Sequence, residues 1–125
     1  MKFRGVRGAI TVEENSAEAI WSATTELLRD IIEANGIEED DVASVIFTCT
    51  TDLNAAYPAK AARDMGWRQV ALMGGVEMDV PGGVSNCIRV LIHWNTSKAL
   101  HEIRHIFLRG AVVLRPDLTA TKESH

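Results

Sequence analysis

The chain carries an arginine in the middle of an apolar segment, which is an uncommon place for a charge. Arg89 lies between Ile88 and Val90 in a run that is otherwise typical of a buried strand. Burying a guanidinium group is costly unless an anion partners it. A salt bridge within the protein or exposure at a sheet edge would satisfy Arg89, and so would a bound anionic ligand.

Two further arginines occur in similar surroundings. Arg7 and Arg115 each interrupt a strand-like stretch next to glycine or proline. The guanidinium group stays charged at physiological pH and can bind a carboxylate through two parallel hydrogen bonds. Three such arginines in one small acidic protein predict a site for a ligand with several negative charges.

An acidic residue and a cluster near a proline are further candidates for ligand contacts. Glu77 lies in a glycine-bounded segment, where its carboxylate would either accept a hydrogen bond from a ligand hydroxyl or be solvated. Tyr57 precedes Pro58, which favours an extended backbone at the entrance to a helix. Lys60 and Arg63 follow, and they would face either a ligand or water.

A different chemistry is suggested by the segment from His101 to His105, which matches H-E-x-x-H. In that motif two histidines one helical turn apart bind zinc, and the glutamate, here Glu102, activates water. The residues that follow, IFLRGAVVL, are typical of a strand, and the His-x-x-G-x-x-His extension is missing. A zinc hydrolase is therefore an alternative, and the anion-site interpretation expects no metal.

The elements that must position these residues begin with strand, helix and strand. Phe3–Val12 mixes β-branched and small residues typical of a strand. A capping-box pattern at Asn15 and Glu18, followed by apolar residues at helical spacing, predicts a long helix that stops at Gly36. Val42–Thr50 is apolar and β-branched and predicts the second strand.

The second half of the chain predicts shorter elements, separated by glycine and proline. In chain order they are a helix over Asp52–Met65 with Pro58 in its first turn, a strand over Gln69–Met73, a loop bracketed by Gly74, Gly75, Gly82 and Gly83, a strand over Cys87–Trp94, and extended segments over His105–Leu108 and Ala111–Leu114.

Elements in this order predict an α+β fold in which helices pack on one face of a mixed β-sheet. We expect one domain over residues 1–118 and a flexible tail over residues 119–125. The other face of the sheet would remain uncovered. In a chain of 125 residues, oligomerisation is a common way to cover it.

Composition argues against several classes of protein. The formal net charge of -4 is unlike the basic excess of nucleic-acid-binding proteins. No apolar run approaches the ~20 residues of a membrane helix, and the N-terminal residues lack the pattern of a signal peptide. Cys49 and Cys87 lie in separate apolar runs and are expected to be buried and reduced. We therefore expect a cytosolic protein that binds neither nucleic acid nor membrane.

Several segments together resemble one known family. The resemblance spans Arg4 to Leu118, and its segments have the order and near-constant spacing of the monofunctional AroH-class chorismate mutases. It implies a homotrimer of α+β subunits with active sites at the subunit interfaces, which converts chorismate to prephenate without a cofactor in aromatic amino-acid biosynthesis. The segments are RGVRGAITVE, DLNAAYPAKAAR, EMDVPGG, CIRV, IRHIF and AVVLRPDL.

The resemblance also implies roles for individual residues. By matching position, Arg89 would contact the ether oxygen and a carboxylate of chorismate, Arg7 would hold a carboxylate, and Glu77 would accept the ring hydroxyl. The remaining substrate contacts implied are Tyr57, Ala59, Lys60 and Arg63 as the wall from a neighbouring subunit, Met73, Gly74 and Phe107 beside the substrate, and Leu114 and Arg115 as a closing segment.

Two positions depart from the family pattern. Phe107 stands where many relatives have a tyrosine that hydrogen-bonds a substrate carboxylate, and Gly74 stands where a cysteine is common. The aromatic ring and the backbone amide are retained, so we expect altered binding at these two points and an intact central charge at Arg89. A non-catalytic trimeric module that binds a small carboxylate through the same arginines is the other alternative.

Overall fold

The computed structural model describes residues 1–114. Arg115 and the residues predicted to form the end of the domain and the tail lie outside the described part of the chain. Three short 3-10 turns, at Glu39–Asp41, Leu100–Glu102 and Arg109–Val113, connect the longer elements. Those elements are β1 (Lys2–Thr11), α1 (Ala17–Asn35), β2 (Val42–Cys49), α2 (Ala59–Asp64), β3 (Ala71–Val76), β4 (Cys87–Thr96) and β5 (Ile106–Leu108).

The five strands form one mixed sheet in the order β3-β2-β4-β1-β5. The central strand β4 pairs antiparallel with β1 and β2, while the edge strands β3 and β5 pair parallel with β2 and β1. In this register Arg89 on β4 lies opposite Thr48 on β2, and Thr48 lies opposite Gly75 on β3. The predicted α+β class and mixed sheet are confirmed.

Both helices cover the same face of the sheet. Alternate β4 residues such as Ile88 and Ile92 are fully buried in the core that the helices complete. A Cβ atom built on Gly8 of β1 would lie 2.5 Å from the side chain of Ile31 in α1, so β1 needs a glycine where the helix crosses it. The opposite face, called here the open face, carries the intervening side chains, including Arg7 and Arg89.

The start of α1 differs from the prediction by one residue. Ser16, rather than Asn15, is the N-cap, and its hydroxyl accepts a hydrogen bond from the Ala19 amide at 3.1 Å. The Asn15 side chain instead accepts hydrogen bonds from the amides of Asn54 and Ala55. Gly36 ends the helix in the left-handed conformation with φ 74°, as its sequence predicts.

The second helix, α2, is shorter than predicted, because hydrogen bonds hold the residues before it in a loop. Hydrogen bonds from backbone amides to two side chains hold residues 52–57 in a loop outside the helix. The Asp52 carboxylate accepts from the Asn86 amide at 3.0 and 3.1 Å, and the Asn15 side chain accepts from the amides of Asn54 and Ala55. The helix therefore begins at Ala59, after Pro58.

Two other predicted boundaries are wrong. β3 continues through Gly74 and Gly75 as far as Val76, because pairing with β2 satisfies the backbone of both glycines. Ala111–Leu114 is not extended. Arg109 adopts a positive φ of 54° and turns the chain into a 3-10 segment, whose Gly110 amide donates to the Thr11 hydroxyl.

Two expectations from composition can be compared with the described residues. Both cysteines, Cys49 and Cys87, are free and buried, as predicted. Among residues 1–114, no helix has the length and apolar character needed to cross a membrane.

Candidate active site

Arg89 and Glu77 meet on the open face. β4 alternates between its two faces and directs Arg89 away from the helices, while Glu77 directly follows β3. The Arg89 Nε atom lies 3.3 Å from Glu77 Oε2, and the side chains are 27% and 22% exposed. Although Nε is buried, it makes no hydrogen bond with proper geometry to any described residue. The ion pair is therefore close but incompletely formed.

Glu77 is held by donors other than Arg89. The Thr48 hydroxyl donates to Oε2 at 2.7 Å, and the Met78 amide donates to Oε1 at 3.2 Å. Burial raises the pKa of Glu77, but these two hydrogen bonds and the positive charges of Arg89 and Arg7 outweigh it and leave the pKa below its usual value. The carboxyl group is thus an ionised acceptor at neutral pH.

Arg7 adds a second positive charge to the same face. Its guanidinium carbon lies 5.7 Å from the centre of the Phe107 ring, in a cation-π arrangement. The backbone amide of Arg7 donates to His105 Nδ1 at 2.9 Å. Phe107 is buried in a small apolar cluster against which Leu114 packs. The structure therefore brings together Arg7, Glu77, Arg89 and Phe107, with Leu114 at the edge of the group.

A surface cavity opens beside this group. Its volume is about 310 Å³, and it is lined by Glu77, Arg89, the loop residues after Glu77 and residues 50–52. Asp52 lies at its edge and ties the backbone at Asn86 to the end of β2. Three carboxylates, those of Asp52, Glu77 and Asp79, line the cavity beside one guanidinium group, so Arg89 is the lining group that could bind a ligand carboxylate and Glu77 could accept a hydrogen bond from a ligand hydroxyl.

The other predicted contacts lie around a second, adjoining cavity. This cavity has a volume of about 620 Å³, is mostly apolar, and is lined by Tyr57, Lys60, Arg63 and Gly74 among others. Lys60 is bound to Asp64 at 2.7 Å. Within one subunit, these residues do not line the cavity beside Arg89.

The remaining predicted substrate contacts are Ala59, Met73 and Arg115. Ala59 is buried at the start of α2, and Met73 is 66% exposed on the open face. Arg115 lies outside the described residues, so its predicted role stays a prediction.

The zinc motif does not form the predicted geometry. His101 and Glu102 lie in a 3-10 turn, and the Glu102 carboxylate accepts a hydrogen bond from the Ala99 amide at 2.8 Å. His105 lies beyond that turn, and its Nδ1 is occupied by the Arg7 amide. Within residues 1–114, no three His, Cys, Asp or Glu side chains are grouped to hold a metal ion. The zinc-hydrolase alternative requires both histidines on one helix, and the structure contradicts it because these residues have no common helix.

Two residues of this region were missed from the sequence. Thr48 bonds to Glu77, and Asp52 anchors the loop beside the cavity. The outward alternation of polar residues along β2 was a signal for Thr48. It could place Thr48 on the open face, but only the register of β2 with β3 and β4 shows which residues it meets.

The fold and the cavity define a small α+β protein with two guanidinium groups and one carboxylate converging on an open sheet face. Comparison with known proteins is consistent with that description. The family model for chorismate mutase type I matches residues 3–118, and the chain belongs to that family.

Individual relatives are similar over nearly their whole length. A chorismate mutase AroH of Thermus thermophilus is 52% identical over 120 residues, covering 95% of this chain and 98% of the relative. One from Bacillus subtilis (strain 168) is 45% identical over 125 residues, covering 99% and 98%. The solved structure of a chorismate mutase from Clostridium thermocellum superposes with a TM-score of 0.87 at 52% identity, covering 88% of this chain and 98% of that one.

Proposed function

We propose that this protein catalyses the rearrangement of chorismate to prephenate, a step of aromatic amino-acid biosynthesis. Family membership and the named relatives support this activity. The observation that carries it is that Arg89 and the ionised Glu77 line one cavity, with the positive charge of Arg7 acting on Glu77 from the same sheet face. Chorismate has two carboxylates, a ring hydroxyl and an ether oxygen, which match two cations and one hydrogen-bond acceptor.

The reaction requires the protein only to position the substrate and to place charge beside it. In one cyclic shift of electron pairs the ether carbon-oxygen bond breaks while a carbon-carbon bond forms within the same molecule. No atom, proton or electron enters or leaves. A catalyst can therefore act by holding the folded reactive conformer and by stabilising the negative charge that grows on the ether oxygen.

The proposed roles follow from the chemistry of each side chain. Arg89 stabilises the ether oxygen and binds a carboxylate, because a guanidinium group offers several donors in one plane. Arg7 holds a carboxylate while its guanidinium group stays over the Phe107 ring. Glu77, kept ionised by its surroundings, accepts a hydrogen bond from the ring hydroxyl, and Gly74 lies on β3, the strand that Glu77 follows.

We also propose that three copies of the chain form the active unit, with each site shared between two of them. The edge strand β3 and the loop after it expose several large apolar side chains, which are typical of a surface covered by another copy. Tyr57, Lys60 and Arg63 would then line the active site that contains Arg89 of the neighbouring subunit. The exposed apolar residues are Met73, Val76, Met78 and Val80.

A cytosolic location is part of the same proposal. Free, buried thiols are typical of reducing compartments. Burial raises the pKa of Cys49 to about 11, which keeps that thiol protonated and unreactive at neutral pH.

The activity is tested by mixing the pure protein with chorismate and following the appearance of prephenate, with and without a chelator. We expect turnover that is unaffected by the chelator. Binding of chorismate without any prephenate would support a non-catalytic carboxylate-binding module instead. Turnover of another substrate that the chelator abolishes would point to metal chemistry.

The shared site is tested with hybrid trimers formed by co-refolding two impaired variants, Arg89→Ala and Arg63→Ala. If each site takes Arg89 from one chain and Arg63 from another, about a quarter of the sites in a random mixture regain both arginines. The matched control mixes Arg89→Ala with Arg7→Ala. Those two arginines come from the same chain, so that mixture should regain nothing. Equal behaviour of both mixtures would contradict shared sites.

A further inference from the structure

Thr48 occupies a central position that none of the proposed catalytic roles uses. It lies on β2 between Arg89 on β4 and Gly75 on β3, on the open face and partly buried. Its hydroxyl is 2.7 Å from Glu77 Oε2, the same oxygen that lies 3.3 Å from Arg89 Nε. One carboxylate oxygen is therefore shared between an uncharged donor and a cation.

The two contacts differ in quality, and the difference has a consequence for Arg89. The hydroxyl makes the short, well-formed bond, whereas Arg89 Nε makes none with proper geometry to a described residue. A carboxylate released from Thr48 could turn into a full charge-assisted hydrogen bond with Arg89, which is about twice as strong as a neutral one. Glu77 would then neutralise the charge of Arg89, and Arg89 would bind a ligand anion less well.

We infer that Thr48 is a positioning residue, whose hydroxyl fixes the Glu77 carboxylate and thereby keeps the Arg89 guanidinium available to the substrate. The inference deepens the proposed function, on which it rests for the identity of that substrate. The hydrogen bond from Thr48 to Glu77 does not involve the substrate.

The surroundings of Glu77 determine how its protonation responds to a change at Thr48. Arg89 and the Cys87 thiol face it from β4, and Arg7 faces it from β1. Asp52 and Asp79 line the same cavity. Thr48 carries no charge, so replacing it removes none of these charges. Thr48→Val removes a neutral hydrogen bond from Glu77, and the charge-assisted hydrogen bond with Arg89 that replaces it stabilises the ionised carboxylate more strongly, so the pKa of Glu77 should fall.

The test uses the full chain with Thr48→Val, which removes the hydroxyl at nearly constant shape, and Thr48→Ser, which keeps it. Ser44→Ala is the matched control, because Ser44 lies on the same face of β2 but bonds to His93. Thr48→Ala serves as a second deletion if the valine variant folds poorly. Two quantities are measured: the pH profile of kcat/KM for chorismate, and the carboxyl ¹³C titration of Glu77 without ligand.

We expect Thr48→Val to lower kcat/KM on the order of tenfold, the effect of losing a hydrogen bond to a charged group. The acidic limb of its pH profile and its Glu77 titration should both move to lower pH. Thr48→Ser and Ser44→Ala should keep both at the wild-type position.

Two results would overturn the inference: a Thr48→Val protein that titrates like wild type, or a Thr48→Ser protein that shifts as much as Thr48→Val. The carboxyl titration needs no substrate. Failure of wild type to convert chorismate would therefore overturn the proposed function while leaving the role of Thr48 to be judged from the titration.

Discussion

Arg89 Nε lies 3.3 Å from Glu77 Oε2 on the sheet face opposite α1 and α2, although Arg89 lies on β4 and Glu77 directly follows β3, and these strands do not pair with each other. β2 lies between their strands, and its pairing with both sets the distance. A cation and a carboxylate are thus presented together beside one cavity. Their separation from the helical core means that the charge arrangement and the stability of the fold can be perturbed independently.

Activity should depend on the planar shape of the Arg89 guanidinium group and not only on its positive charge. Arg89→Ala should lower kcat/KM by at least ~10²- to 10³-fold, as for removal of an oriented donor to a developing oxyanion. Arg89→Lys should lose much of the same activity, because an ammonium group cannot reproduce the planar fork. Arg29→Lys, on the exposed side of α1, is the control. Near-normal turnover by Arg89→Lys would contradict the proposed role.

The two glutamates singled out by the sequence should behave differently. Glu77→Ala should be clearly impaired in steady-state turnover, because it removes the acceptor for the ring hydroxyl. Glu102→Ala should keep wild-type kcat/KM and lose at most about 1 kcal/mol of stability, since it removes one hydrogen bond to the Ala99 amide. An inactive, folded Glu102→Ala protein would favour the zinc interpretation.

The pH dependence of activity should reflect the lowered pKa of Glu77. A lowered pKa means that the carboxylate persists as the pH falls, so kcat/KM should stay high down to 4.5, the ordinary value for a glutamate, and fall only below it. The profile should be measured where circular dichroism shows a folded protein. An acidic limb centred above 4.5, absent from the residual activity of Glu77→Gln, would mean that Glu77 is not held ionised as its contacts indicate.

The crossing of α1 over β1 should tolerate no side chain at Gly8. Gly8→Ala places a Cβ 2.5 Å from Ile31 Cδ1 and 3.2 Å from the Ile106 carbonyl oxygen, and it should lower the free energy of unfolding by about 1–3 kcal/mol. Gly74→Ala meets nothing within 4 Å and should change it by less than about 0.5 kcal/mol. Urea unfolding at one fixed protein concentration compares them. Equal stability of the two variants would contradict this packing.

Local patterns in the chain were enough to predict the main elements. β1, α1, β2 and β4 have long runs with a clear period of two or 3.6, and each was predicted within two residues at both ends of its range. Arg89 also stood out without any structure, because a charge in an apolar run is energetically conspicuous. The short elements were predicted less well. Hydrogen bonds to distant residues, from the Asn54 amide to Asn15 and from the Asn86 amide to Asp52, replace the first turns of the predicted second helix.

The partners of each charge could not be read from the chain in the same way. Thr48 and Arg89 lie on neighbouring strands and Glu77 directly follows a third. A one-residue slip in either strand pairing would send a side chain to the other face. The H-E-x-x-H match likewise requires a helix, which the 3-10 turn at Leu100–Glu102 does not provide. Periodicity is a property of neighbouring residues, whereas a charged site depends on contacts between residues far apart in sequence, and these form only when the whole sheet pairs and packs.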